Sequence, residues 1–192
     1  MALKTFNSES AANAGTTGGL TKGGDYLIGI NQTLYELGNE QSSYLEFSGK
    51  AVDIGAEVNF LKLYMTQRNG KEHFESGFID AMMGLGNIKE LTEQLAVING
   101  ENKVKVPQFT GKQYIFKLQR EDYQKTDGSI GWSMKVLNVF DPATRKTYSE
   151  IMKGEEAKAI LREPQDKLLI PRSNTGTSSG STFAPIDDDL PF

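Results

Sequence analysis

The sequence predicts a mainly β protein with short helices. Three observations carry that prediction. Short apolar runs, several with strict inside-outside alternation, recur between turn signals. Asn69-Gly70 and Asp127-Gly128 are strong hairpin dipeptides. Helical spacing of apolar residues is confined to the middle of the chain and to one short stretch near its end. Five or so strands around a small helical insert fit a compact barrel with closed or nearly closed edges. With 192 residues, 38% of them hydrophobic and 24% charged, the chain is long enough for one domain with a sizeable core.

Residues 1–24 read as a flexible N-terminal arm, because 7–24 are dominated by Ser, Ala, Asn, Thr and Gly. The folded body is expected over 25–172. Tyr26-Leu27-Ile28-Gly29-Ile30 is the first strand. Ser43 to Val52 is the second, with Leu45 and Phe47 on one face and Tyr44, Glu46 and Ser48 on the other. Val58 to Met65 is the third. There Leu61, Leu63 and Met65 face the core, and Phe60, Lys62 and Tyr64 face away. Phe78 to Met83 and Ile88 to Ile98 have helical spacing and form the insert. Lys112 to Tyr123 and Ile130 to Phe140 are strands joined through Asp127-Gly128, and Asp141-Pro142 closes the pair. Ser149 to Leu161 reads as a short helix capped by Ser149 and ended at Glu163-Pro164. Ser173 to Thr182 contains only Ser, Asn, Thr and Gly. Such a segment buries nothing and behaves as a linker, so disorder is expected over 173–192.

Composition excludes several classes. Cysteine is absent, which removes disulfides, thiolate catalysis and Cys-type zinc sites. His73 is the only histidine, so no His-pair metal site exists. The glycines at 18–24 lack the Gly-Lys-Ser/Thr of a P-loop. Gly84-Leu85-Gly86 has Lys89 where a dinucleotide fingerprint needs its third glycine. No catalytic constellation, metal site or cofactor motif is expected. No apolar run approaches the roughly 20 residues of a membrane span, and the first residues lack an apolar signal core. A cytoplasmic setting is expected. Net charge is −4; all 21 Lys and Arg precede residue 173, and residues 1–172 set them against 22 of the 25 acids.

The body is thus near neutral, but its charge is uneven. Residues 103–125 hold Lys103, Lys105, Lys112, Lys117, Arg120 and Lys125 against only Glu121 and Asp122. Aromatic residues are interleaved, and Trp132 and Lys135 follow across the turn. Basic grooves that track phosphates, with aromatic faces that stack bases, are how single strands are bound. Phe116, Leu118, Met134 and Val136 read as core. Tyr114, Tyr123 and Trp132 are the stacking candidates, and Lys112, Lys117, Arg120, Lys125 and Lys135 the phosphate candidates. A second surface lies on the 58–74 hairpin. Phe60, Lys62 and Tyr64 make an aromatic-basic-aromatic face there, with Arg68, Lys71, His73 and Phe74 beyond it.

The C-terminus is the most informative segment. Asp187, Asp188 and Asp189 precede Leu190, Pro191 and Phe192, whose backbone carries the terminal carboxylate. Apolar residues at the end of a polar tail have no core of their own to join. A ring beside a carboxylate suits an apolar pocket next to a cation, and the aspartates steer it toward a basic surface.

This tip resembles that of bacterial and bacteriophage single-stranded DNA-binding proteins, and the order of globular domain, Gly/Ser tail and acidic tip is similar to theirs. The strict match covers Asp187 to Phe192. The body does not resemble the bacterial domain in sequence and looks more like the divergent bacteriophage forms. The resemblance implies an OB-fold-like five-stranded barrel with a helical insert. It implies single-stranded DNA binding with little sequence preference in replication, recombination and repair, and no enzymatic activity. It also implies recruitment of a polymerase, primase-helicase, nuclease or recombinase through the tip. The alternative is a replication adaptor whose tip docks partners while its body binds protein, which the near-neutral body favours. The oligomeric state is not set by the sequence; a homodimer is one option.

Overall fold

The computed structural model describes residues 19–169. Seven strands form one antiparallel sheet: β1 (Gly24–Leu37), β2 (Ser43–Ala51), β3 (Ala56–Thr66), β4 (Gln94–Ile98), β5 (Glu101–Lys105), β6 (Gln113–Gln124) and β7 (Ile130–Phe140). Two short helices accompany them, α1 (Ser76–Leu85) and α2 (Tyr148–Lys153). The expected strands at 26–30, 43–52, 58–65, 112–123 and 130–140 are all present. Residues 1–18 of the expected arm and the expected linker and tip at 173–192 lie outside the described residues.

β1 organises the sheet. One of its edges pairs with β2 from Ile28 to Leu37. Its other edge pairs first with β6, over Gly24 to Gly29, and then with β5 at Leu34 and Tyr35. Between them the chain makes a single 3-10 turn at Pro107–Phe109. The Val106 N–H donates to the Thr33 carbonyl at 2.9 Å and the Gly111 N–H to that of Ile30 at 2.8 Å, so the edge stays occupied. β2 then pairs β3, and β6 pairs β7. β3 and β7 end these two arms and approach each other without a backbone ladder among the described residues.

The inward faces meet in one core. Leu45, Phe47, Leu61 and Leu63 supply it from β2 and β3, and Phe116, Leu118, Val136 and Val139 from β6 and β7. Phe109 packs edge-on against Phe47 at 5.4 Å between centroids. α1 seals one end with Ile79 and Met82. Each of these side chains contributes about 1.5–3 kcal/mol by leaving water.

Three expectations are corrected. Ile88 to Ile98 is not a helix. α1 stops at Leu85, Asn87 takes a left-handed φ of 51°, and residues 88–93 lead without regular structure into β4. Ile88 and Leu91 pack on the core from a segment without regular structure, which reproduces helical spacing by coincidence. The β4–β5 hairpin so formed turns at Asn99-Gly100, both left-handed at φ 52° and 84°, as a two-residue hairpin loop requires. The sheet therefore has seven strands where five were expected. Second, the expected helix at 149–161 is a six-residue helix capped by Thr147, not Ser149; it ends at Gly154 with φ 67°, and a 3-10 turn follows at Ala159–Leu161. Third, the expected arm ends early, because Leu20 is buried in the core.

Two carboxylates, the buried Glu150 and the half-buried Asp166, hold the irregular C-terminal stretch. Glu150 is 7% exposed. It accepts the backbone N–H groups of Thr147 at 2.8 Å, Lys158 at 2.8 Å and Ala159 at 2.9 Å. Burial opposes its charge, but the bonds from Thr147, Ala159 and Lys158 outweigh burial and hold it at about 2. Asp166 accepts from the Gly23 N–H at 3.0 Å and the Arg120 N–H at 2.9 Å, clasping residues 163–169 to β1 and β6.

A carboxyl held below its ordinary 4.5 stabilises the fold fully above that pH and loses the contribution as the pH falls toward 2. Glu150→Gln should therefore cost about 2 kcal/mol at pH 7. In urea unfolding series, the gap from wild type should shrink between pH 4.5 and pH 2; a gap independent of pH would contradict the assignment.

Candidate nucleic-acid interface

Two clefts lie on the outer surface and share two residues, Lys62 and Tyr64. The first, about 680 Å³, occupies the seam between β3 and β7 and is lined by Lys62, Tyr64, Tyr123, Trp132 and Lys135. The second, about 770 Å³, lies over the β1–β2 turn and the outer face of β2 and β3, and is lined by Tyr44, Arg68, His73 and Phe74. The two sequence candidates, the 58–74 hairpin and the β6–β7 ribbon, are thus brought to one continuous surface.

The second cleft carries a string of rings. Alternation turns Tyr44 and Tyr64 outward from adjacent strands, and register sets them opposite each other. Their centroids are 5.3 Å apart. Tyr64 lies 5.5 Å from His73, and His73 4.6 Å from Phe74. Phe74 is 68% exposed. Glu75, buried at the start of α1, fixes this arrangement from behind. Its carboxylate accepts the Tyr64 N–H at 3.0 Å, and its own N–H donates to His73 Nδ1 at 3.3 Å. The Lys62 ammonium sits 4.5 Å over the Tyr44 ring and 3.6 Å from Glu46. Partial burial works against its charge, but the Tyr44 hydroxyl and Glu46 more than offset this and raise its pKa.

The seam is also lined by Trp132 and Tyr123, which the register sets on opposite faces of the β6–β7 ribbon, Trp132 across from Asp122 and Tyr123 across from Gly131. Trp132 is 41% and Tyr123 49% exposed. The Arg120 guanidinium lies 5.4 Å from the Trp132 ring, its Nε donates to Asp122 at 2.7 Å, and Nη1 donates to the Thr21 carbonyl at 3.0 Å. Arg120 is thereby fixed beside the indole. Lys135 faces Glu121 at 3.6 Å, and Glu121 also holds Lys167 at 2.6 Å. The hydrogen bond from Lys167 keeps the Glu121 carboxyl below its ordinary range. Glu57 and Glu75 line the seam as well, so its cations are balanced by acids, in keeping with the near-neutral body.

Three sequence candidates fall elsewhere. Tyr114 is 1% exposed in the core, and its hydroxyl donates to the Met82 carbonyl at 3.0 Å. Burial pushes that hydroxyl up to about 12. It has no face to offer a base. Lys117 is 4% exposed. Its ammonium lies 2.9 Å from Asp25, donates to the carbonyls of Ile160 and Arg162, and stands over the Phe140 ring at 5.7 Å. Those contacts use its donors, so it is a buried structural cation and not a phosphate contact. Lys112 donates to the Gly86 carbonyl at 2.9 Å at the end of α1 and lines neither cleft. Lys125 is exposed at the β6–β7 turn, Arg68 at the turn after β3, and Phe60 lies on β3 two positions before Lys62. Asp187, Asp188, Asp189, Leu190, Pro191 and Phe192 lie outside the described residues.

Tyr44 was missed by the sequence reading as a site residue. Its signal was available, since it alternates outward on β2 next to the outward Tyr64 of β3. Among the described residues, no group of three or more His, Asp and Glu side chains could hold a metal ion. No protein-family model matches this sequence, and no curated protein and no solved structure is detectably similar to it.

Removing the Lys117 amine leaves Asp25 and two carbonyls without their partner in a dry environment. Lys117→Ala should cost about 3 kcal/mol by chemical denaturation, whereas Lys125→Ala should fall within about 0.5 kcal/mol of wild type. Equal effects would mean that Lys117 is solvated.

Proposed function

We propose that this protein binds single-stranded DNA along the surface formed by the two clefts, with little sequence preference. The observation that carries the reading is the run of partly exposed rings, Phe74, His73, Tyr64 and Tyr44, continuing across Lys62 to Trp132 at the seam, which Tyr123 lines from the other face of the β6–β7 ribbon. Rings in sequence accept bases of any identity by stacking, and the interspersed Lys62, Arg68, Arg120 and Lys135 meet phosphates. No groove built to read base edges is required by such a mode.

The path β3-β2-β1-β6-β7 supports an OB-like barrel of five strands, with α1 as the plug between β3 and β6 and the β4–β5 hairpin as an addition to that loop. In this reading β3 and β7 flank the closing seam, and the ligand crosses it. The acidic tip adds the second half of the function. Asp187 to Phe192 recruits an enzyme of replication, recombination or repair to the coated strand, as the resemblance to bacteriophage single-stranded DNA-binding proteins implies. The protein acts without catalysis, cofactor or metal, in the cytoplasm of a host cell.

A second reading is favoured by one observation, the balance of acids and cations in the seam. It is an adaptor that uses the tip to dock partners and the same clefts to bind protein.

Titration of Trp132 fluorescence with dT oligomers separates the two. Saturable quenching that weakens with salt is expected, with a slope of log K against log [salt] of about −2 for some three phosphate contacts. Tyr64→Ala and Trp132→Ala, followed by anisotropy, should each cost about 1–3 kcal/mol of affinity. Anisotropy change without quenching would move the ligand to the Tyr44–Phe74 cleft. No binding in either readout would leave the adaptor. Deleting residues 184–192 should tighten dT binding at low salt, because the acidic tip competes with phosphate for the same cations; unchanged affinity there would remove the competition.

A further inference from the structure

The β4–β5 hairpin takes no part in either cleft, and one of its faces is apolar and exposed. Leu95 is opposite Val104 on β5, and Val104 is opposite Tyr35 on β1. Two residues along, alternation places Val97, Asn102 and Leu37 on the same face. Leu95 is 80% exposed, Val97 72% and Leu37 73%. The charged residues of the hairpin lie on the opposite face, where Lys103 binds Glu36 at 3.1 Å and Glu101 at 3.4 Å. The hairpin thus separates its ion pairs from its apolar side chains, as a sheet does when the apolar side has something to meet.

β4 is also an open edge. Among the described residues it pairs only with β5, through an unbroken five-residue register. Natural edge strands are protected from pairing by an inward charge, a lysine, a proline or a bulge. Gln94-Leu95-Ala96-Val97-Ile98 has none of these. The segment is moreover complementary to itself. If two copies pair antiparallel about a two-fold axis at Ala96, Leu95 of each copy lies opposite Val97 of the other, on the same apolar face. No charge meets a like charge, and both edges gain their missing hydrogen bonds. Few edges satisfy a two-fold in this way, since the operation requires residue i to suit residue j and j to suit i.

We propose that β4 is a self-association edge, through which two copies of this chain join their sheets by antiparallel β4–β4 pairing centred on Ala96. A five-residue edge with two apolar cross-strand pairs buries on the order of 300–400 Å² per copy, well under the roughly 800 Å² per partner of a standard stable complex. The contact is therefore weak and reversible in free solution. It gains weight where copies are held close together, as on a shared ligand, through effective concentration.

The proposal does not rest on DNA binding, and its test uses none. Sedimentation velocity of the full chain, from about 10 µM to about 1 mM, should show a concentration-dependent shift from monomer to dimer, in the range expected of a small interface. Leu95→Glu and Val97→Lys alter side chains that are already in solvent, so both variants should keep the wild-type circular dichroism and melting temperature. Each alone should remain monomeric across the range, because like charges are placed near the axis. Mixed in equal amounts they should recover dimer, since the carboxylate introduced by L95E then faces the ammonium introduced by V97K. Ile54→Glu, at another exposed apolar position, should associate as wild type does. A wild type that stays monomeric to about 1 mM, or variants that associate unchanged, would overturn the proposal. Monomeric variants that fail to recover on mixing would overturn the two-fold register.

Discussion

The backbone hydrogen bonds of β1 hold the rest of the structure in place. This strand of fourteen residues pairs with three others, and both of its edges are used for most of its length. Such a strand must bend to serve partners that diverge. A break in the β1–β2 register between Ile30 and Gln32 supplies the bend, and Gly49 permits the close approach it creates. A Cβ on Gly49 would collide with the Gly29 carbonyl oxygen. The bend sends β2 and β3 to one side and β6 and β7 to the other, and so brings β3 and β7 face to face across the seam.

Buried polar groups complete what the sheet leaves open. Lys117 and Glu150 gather backbone groups of residues 147–162, which have no ladder of their own, and Asp166 joins its own segment to the N–H groups of Gly23 and Arg120. A carboxylate that accepts three N–H groups does for a loop what a strand partner does for an edge. Glu75 belongs with them and also reaches outward. It is buried behind Tyr64 and His73, so the core and the outer aromatic surface share one anchor. The rings of the second cleft are consequently held in order before any ligand arrives, which lowers the entropy lost on binding.

The clefts are not strongly basic. Lys62 is matched by Glu46, and Lys135 by Glu121. Flat, partly exposed rings therefore supply most of what the surface can offer a ligand, with the cations as local contacts and not as a long-range field.

Alternation in the sequence was enough to locate five strands and to sort Leu61 and Leu63 from Lys62 and Tyr64, because period two is a property of each strand alone; Trp132 and Tyr123 were legible as surface candidates from their places near strand ends and turns and from the polar atom each carries. Helical spacing at Ile88, Leu91, Leu95 and Ile98 misled for the converse reason. Only packing distinguishes a helix from an irregular segment that touches the core at Ile88 and Leu91 and then leaves it, although Asn99-Gly100 just beyond that spacing is itself a hairpin signal. Lys117 and Tyr114 share a strand with true surface residues, and nothing local separates them. Asp25 lies 92 positions from Lys117, and Met82 32 positions from Tyr114. Which cations are spent inside and which rings remain outside is set by contacts between segments far apart in the chain. So five of the strands, their faces and the acidic tip were determined by local chemistry, whereas the seam, the joining of the two clefts at Lys62 and Tyr64, and the β4–β5 hairpin with its open edge were decided by the bend of β1 and the pairing it imposes.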